Sequence, residues 1–358
     1  MTVDAVELLE DLLERARAAA FGPRQFVGQE SFVTRSEVLS LAEVAGLGAG
    51  TRLLDICCGT AGPGLFVAGH AGCAYVGVDA RPASVARARR RAEAAGIDFR
   101  VEVGRVPPLP TGRFDVVLLL ETLLAFPRRS PLLAAVAEAL APGGRFALTV
   151  EAGRPLTPDE ARTMPDADTV WLTPLDDLVA ELRHVGLHVT WEEEWTASHR
   201  ASADALLGAY EELARALPDA GEREVVERLV TSHRLWSRWL RDGRVRKHAL
   251  VVEAMPGGLG PAPPSADPRG TERGRHQLDD RGVDAHGGRL LHGLGLRLGG
   301  LPLGDLDESV VVVERLVNGA AQEAGRTRSV RRRDPSEQGP QLVPLPRGGP
   351  ELDDHPDG

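Results

Sequence analysis

Between residues 52 and 150, short apolar runs alternate with helical stretches, and this alternation constrains the fold more than any other feature. Residues 52–57, 74–79, 99–104, 114–120 and 145–150 read as strands bounded by Gly, Pro or Asp. Helices are expected at about 63–70, 81–95 and 131–140. Pro63 sits in the first turn of its helix, where the missing N–H costs nothing, Gly96 stops the second helix, and Pro142-Gly143-Gly144 is expected to break the third from the strand after it. Strands separated by helices build a parallel sheet covered on both faces. Beyond Val150 the reading continues with a helix at 174–185, a strand at 188–195, a mostly helical stretch at 201–242 and a last strand at 244–253.

The turn after the first strand, in LLDICCGTAGPG (53–64), carries the chemistry. A Gly-rich turn after one strand, with an acid ending the next, marks a nucleotide-type ligand. A dinucleotide site spaces its glycines G-x-G-x-x-G, so that a pyrophosphate approaches backbone and helix N-terminus. Here the glycines fall at Gly59, Gly62 and Gly64, which is a different spacing. Asp55, four residues before Gly59, would repel a pyrophosphate but suits a ligand with an ammonium group and a sulfonium centre. Two further readings stay open beside this one: an NAD(P)-linked oxidoreductase, and a non-catalytic cofactor-binding or scaffold protein.

At these residues the chain resembles the class I S-adenosylmethionine-dependent methyltransferases, whose first motif runs acid-x-Gly-x-Gly-x-Gly. Asp55, Cys57, Gly59 and Ala61 fall on those positions, with Cys57 and Ala61 standing where the family has glycine. Ala61 is ill suited to a positive φ, so Gly62 is expected to take the left-handed turn. FDVVLLLE (114–121) and LAPGGRFAL (140–148) match the family's fourth- and fifth-strand segments. The resemblance spans roughly 25–255 and implies a Rossmann-like α/β domain, doubly wound and seven-stranded, with the last strand antiparallel and a helical cap. It implies S-adenosyl-L-methionine as cofactor and a small-molecule substrate for O-, N- or C-methylation. By the same resemblance, Asp79 with Ala80 would meet the ribose, while Arg105 stands where the family has an acid that accepts from the adenine amino group, so that contact is expected to be lost or carried by backbone around Val106. In FVGQESF (26–32), Gln29 would face the methionine end of the cofactor and Phe26 the substrate pocket. A helix cap is the competing role for Asp79.

Methyl transfer needs alignment of acceptor and methyl more than it needs acid–base chemistry. Glu121, after the fourth strand, is the candidate base, with helix capping as its alternative. All five tryptophans lie between 171 and 239. Trp171 and Trp195, near element ends, are the expected pocket walls, while Trp236 and Trp239, three apart, would share a helix face. The histidines show no convergent spacing and read as surface or core residues.

Net charge is -10 and pI ≈ 5.6, which argues against nucleic acid as a partner. Lys247 is the only lysine, so 41 of the 42 basic residues are arginine. Clusters such as Arg87 with Arg89–Arg91 therefore read as a solvated helix face rather than a site. Cys57, Cys58 and Cys73 offer no disulfide framework and no metal-ligand spacing. No apolar run reaches the ~18 residues of a membrane span, and the acidic first residues do not resemble a signal peptide. A cytoplasmic protein is expected. Residues 257–358 contain no aromatic residue and 19 of the 40 glycines, so a methyltransferase domain at 1–256 and a disordered tail are expected, with only 305–322 apolar enough for an element.

Overall fold

The computed structural model describes residues 3–255 of the chain. The expected low-complexity tail, with its apolar stretch at 305–322, lies outside the described residues.

β1 (Arg52–Ile56), β2 (Ala74–Asp79), β3 (Phe99–Val103), β4 (Phe114–Leu119), β5 (Leu140–Gly153), β6 (Leu187–Glu194) and β7 (Val245–Ala254) form one sheet. Their order is β3-β2-β1-β4-β5-β7-β6. Neighbours from β3 through β5 run parallel, and only β7 is antiparallel to those beside it, as the family resemblance implies. The order reverses between β1 and β4, and open α/β sheets bind ligands at the carboxyl ends of strands beside such a switch.

Alternate residues of each strand go to opposite faces. Leu54, Ile56, Val117, Leu119, Phe146, Leu148, Leu250 and Val252 build the core on one side. Leu53, Val116, Leu118, Ala147, Ala249 and Val251 build it on the other. The first core is closed by α5 (Ser130–Ala139) and α7 (Leu175–His184) through Leu132, Leu133, Val136, Leu178 and Leu182. The second is closed by α2 (Arg35–Val44), α3 (Gly62–Ala71) and α4 (Pro82–Ala95) through Leu41, Leu65, Val85 and Ala88. Each large side chain buried here stabilises the fold by roughly 1.5–3 kcal/mol, so Leu132→Ala, at a fully buried position, would cost about 2–5 kcal/mol.

α1 (Val3–Phe21), α6 (Pro158–Thr163), α8 (Thr196–Ala216) and α9 (Ala220–Arg241) form a helical layer over the carboxyl end of the sheet. The stretch read as mostly helical at 201–242 is two helices, broken at Leu217-Pro218-Asp219, where Asp219 Oδ1 accepts from the N–H of Gly221 and Glu222. α1 and α2 have no counterpart among the elements read from the sequence. Pro142-Gly143-Gly144 does not interrupt the chain as expected. β5 starts at Leu140 and absorbs the three residues through a register shift opposite Phe114 and Val116. Among the described residues no helix is long and apolar enough to cross a membrane.

Candidate active site

A cleft of about 360 Å³ opens at the carboxyl ends of β1, β2, β4 and β5, within the range of small-molecule sites. Its floor is the loop from β1 into α3. Cys57 (φ 58°), Gly59 (φ 55°) and Ala61 (φ 59°) are all left-handed. Gly62 is not, which corrects the expectation that it would relieve Ala61. It opens α3 instead, and a Cβ there would overlap the backbone carbonyls of Val27 and Gly28. A Cβ on Gly64 would overlap Asp55 Oδ2. Both glycines thus serve close approach.

Asp55 is buried and accepts from the Tyr75 hydroxyl at 2.8 Å. Burial pushes its carboxyl up to about 7, the Tyr75 hydrogen bond opposes this, and nearby Asp79 adds to it. Asp79 Oδ2 accepts from the Gly59 N–H at 2.9 Å, and Oδ1 from the Arg81 N–H at 2.9 Å. Asp79 therefore stitches the two loops together. The N-cap of α4 is Arg81 rather than Asp79, and the Arg81 side chain makes no cap hydrogen bond. Burial raises the thiols of Cys57 and Cys58, which keeps them protonated and unreactive.

The segment after α1 covers this floor. Gly28, Glu30, Ser31 and Phe32 line the cleft. Gln29 does not, because its side chain is used within its own loop: Oε1 accepts from the Val27 N–H, and Nε2 donates to the Gln25 carbonyl at 2.9 Å. Phe26 packs on Phe21 outside the lining. Of the arginines read as a solvated face, Arg89 and Arg90 are exposed, whereas Arg87 and Arg91 are partly buried and depart from that reading. Arg91 donates to the carbonyls of Gly28 (3.2 Å) and Thr60 (2.9 Å) and pairs with Glu14, while Arg87 pairs with Asp11 and Glu14. One helix face thereby ties α1 and the covering loop to the cofactor loop.

Opposite, Leu124, Met164, Val170, Leu229 and Trp236 make an apolar chamber, joined by Phe32 and His233. Glu121 and Glu151 stand in its wall. Glu121 lies two residues beyond β4 at φ 54°, its N–H held by the Thr149 hydroxyl at 2.9 Å. It caps no helix. Oε2 accepts from the Phe32 N–H at 2.7 Å, and Oε1 lies 2.9 Å from Lys247 Nζ. Lys247 Nζ also donates to Glu151 Oε1 at 2.6 Å. The His199 ring bridges the two carboxylates, Nδ1 at 3.6 Å from Glu121 and Nε2 at 3.7 Å from Glu151. Burial raises Glu121 to about 7 although Lys247 pulls it down, and Glu151 adds to the rise. Burial and the Lys247 ammonium hold His199 well below the usual range, so its ring is neutral.

Of the residues singled out from sequence, Asp55, Cys57, Gly59, Gly62, Asp79 and Glu121 line this cleft. Ala61 shapes the loop from behind, and Ala80 only links Asp79 to the lining Arg81. Arg105 is exposed and Val106 packs into the core below β4, so neither reaches the cleft. The tryptophan assignment reverses. Trp171 is 45 % exposed with its ring N–H on the Asp168 carbonyl, and Trp195 packs against Trp191 in the second core. Trp236 lines the chamber and holds an edge-to-face contact with Trp239 at 5.4 Å. Glu151, His199, His233 and Lys247 were not foreseen. The uniqueness of Lys247 was the one signal pointing toward them.

The fold is similar to that of class I S-adenosylmethionine-dependent methyltransferases. Residues 53–144 match the family described as a methyltransferase domain. The chain is 34 % identical over 174 residues to the 27-O-demethylrifamycin SV methyltransferase of Amycolatopsis mediterranei (strain S699), covering 45 % of this chain and 63 % of that one. It thus spans rather less than two thirds of that relative's length. Among solved structures it resembles the [4+2]-cyclase SpnF (TM-score 0.57, 19 % identity, 71 % of this chain and 95 % of that one). It also resembles a methyltransferase from Geobacter sulfurreducens in complex with S-adenosyl-L-homocysteine (TM-score 0.53, 18 % identity, 67 % and 98 %).

Proposed function

We propose that the chain methylates a hydroxyl oxygen on an apolar small molecule, using S-adenosylmethionine. The observation supporting this most directly is a single cleft that joins the acids of the Gly-rich loop to an apolar chamber with Glu121 in its wall. The residues on the floor fit the cofactor. Asp55 offers a buried carboxylate to an ammonium group, and each Asp79 oxygen, already accepting one N–H, keeps a second acceptor site for ribose hydroxyls. The Cβ overlaps at Gly62 and Gly64, against Val27, Gly28 and Asp55, support a closely packed loop that only glycine allows at these positions. Arg105 points no donor into the cleft, so its departure from the family pattern does not disturb this fit.

When bound, S-adenosylmethionine supplies a methyl group already activated on sulfur and leaves as S-adenosylhomocysteine. Phe32, Met164, Val170 and Trp236 hold the apolar body of the acceptor and exclude water. As the acceptor oxygen forms its new bond to carbon, its proton passes to the carboxylate of Glu121. A carboxyl near 7 suits that task, being ionised above neutrality and basic enough to take the proton. The relative's printed name, a 27-O-demethylrifamycin SV methyltransferase, is in keeping with an acceptor of this kind.

Titration calorimetry with S-adenosylmethionine tests the first half of the reading, and labelled-methyl transfer to a panel of apolar alcohols, phenols and amines tests the second. Binding followed by transfer to hydroxyls is expected. Failure to bind would overturn the cofactor assignment; transfer to amines alone would overturn the acceptor.

A further inference from the structure

Lys247 is the only lysine among 42 basic residues, and it is 1 % exposed. In β7 it stands in register with Glu151 of β5, which brings its Nζ to the end of β4 and to Glu121. Its two carboxylate contacts, 2.9 and 2.6 Å, converge on one buried nitrogen. A compact ammonium with tetrahedral donors meets that demand, whereas a planar guanidinium, bulkier and forked, does not. This is the one place where the chain departs from its own preference for arginine.

We infer that Glu121, Glu151, His199 and Lys247 form one proton-holding site behind the acceptor chamber, in which Lys247 is the positioning residue and its ammonium fills the place a metal ion would take between two carboxylates. The charges explain how a proton is held. With both carboxylates ionised, the ammonium in place and His199 neutral, the cluster carries one net negative charge; one added proton makes it neutral. Burying an uncompensated charge is costly, so the cluster takes up that proton readily. Three of its buried polar atoms, Glu121 Oε1, Glu151 Oε2 and His199 Nε2, have no hydrogen-bond partner among the described residues, which leaves capacity for the proton on and beside Glu121. The charged and titratable groups facing Glu121 are Lys247 from β7, Glu151 from β5 and His199 from α8, with His233 of α9 one layer further out. The donor atoms of Glu121, Glu151 and His199 lie within 4.8 Å of one another, a spacing a dication could bridge. The ammonium already between the carboxylates stands in its way.

The inference rests on the methyl-transfer reading only for where the proton comes from, so its test uses the full chain without cofactor or acceptor. Infrared spectra with carboxyl-labelled glutamate, which separates Glu from Asp55, follow protonated glutamate as pH is varied. One buried glutamic acid titrating near neutrality is expected, and it is lost in Glu121→Gln. Lys247→Met should raise its midpoint by about one pH unit, a roughly tenfold tighter hold on the proton. Glu151→Gln should lower the midpoint by a similar amount, and it carries the test alone if Lys247→Met fails to fold. Chelator, Mg²⁺ and Zn²⁺ should leave the signal unmoved. No titrating glutamate in the wild type, an unmoved midpoint in folded Glu151→Gln, or displacement of the signal by stoichiometric Zn²⁺ would each overturn the inference. Failure to bind S-adenosylmethionine with the signal intact would instead defeat the functional reading and leave this site standing.

Discussion

The floor of the cleft and the chamber above it are assembled in different ways. The floor comes from one strand–loop–helix and the end of the next strand, so Asp55, Gly59 and Asp79 lie within 25 positions of one another. The chamber gathers Phe32, Glu121, Glu151, Met164 and Trp236, drawn from across the described chain. The floor holds its shape through backbone geometry: three left-handed residues, and a carboxylate that accepts from two different loops. The chamber is held by side-chain packing and one buried charge cluster. Under the proposed function, a local device holds the cofactor, whereas a dispersed one leaves the acceptor free to vary.

If this contrast holds, changes to the floor should move cofactor affinity and changes to the chamber should spare it. The largest effect is expected for Asp79→Ala. Two loops lose their common acceptor and the ribose loses its partner, so cofactor affinity should fall about 100-fold and stability by about 2–4 kcal/mol. Calorimetry and urea unfolding measure the two; an unchanged affinity would break the assignment of the floor.

Asp55→Asn separates binding from stability. Its folded carboxyl sits near 7, above the ordinary value of about 4, so the native state keeps a proton that the unfolded chain releases. Native stability should therefore fall as pH rises from about 4 to about 7. Asp55→Asn should flatten this slope and stabilise the free protein at pH 8 by on the order of 1–2 kcal/mol while weakening the cofactor about tenfold. Glu121, raised in the same direction, contributes to the slope that remains. In the wild type, cofactor affinity should drop as pH falls below 7 and Asp55 takes up its proton. Unfolding and calorimetry across that range check both signs.

Trp236→Ala should raise the acceptor KM about tenfold and leave cofactor affinity within about twofold, because its ring lines only the chamber. Equal losses for both ligands would mean that chamber and floor are not separable. The smallest effect is expected for Ala61→Gly, which relieves a left-handed alanine and should stabilise the fold by about 0.5–1 kcal/mol in thermal unfolding.

The same contrast explains what could be read from sequence. Strand period and Gly-rich turns are local, so the strands and the loop acids are visible in sequence, while the antiparallel last strand comes with the family resemblance. Pocket membership in the cap depends on which face of a helix packs inward, and sequence does not fix that for a tryptophan near an element's end. Trp171 and Trp195 were chosen by position, yet Trp236 holds the place. The resemblance places Gln29 at the site, but its side chain is buried and bonded to its own loop backbone. Arg91 was discounted as one arginine among many, and only the folded chain shows Glu14, Gly28 and Thr60 meeting at its guanidinium. Glu151 and His199 carry no motif, because their meaning lies in neighbours about 50–100 positions away.

The solitary lysine has a practical consequence. Feeding the expression host lysine labelled at its side-chain nitrogen would place one label in the whole molecule, beside Glu121 and Glu151. Magnetic resonance would then show a single ammonium signal, with no crowd of surface amines to obscure it. The same rarity makes amine-directed reagents nearly blind to the folded surface, so any side-chain acylation that does appear marks the moment the core has opened.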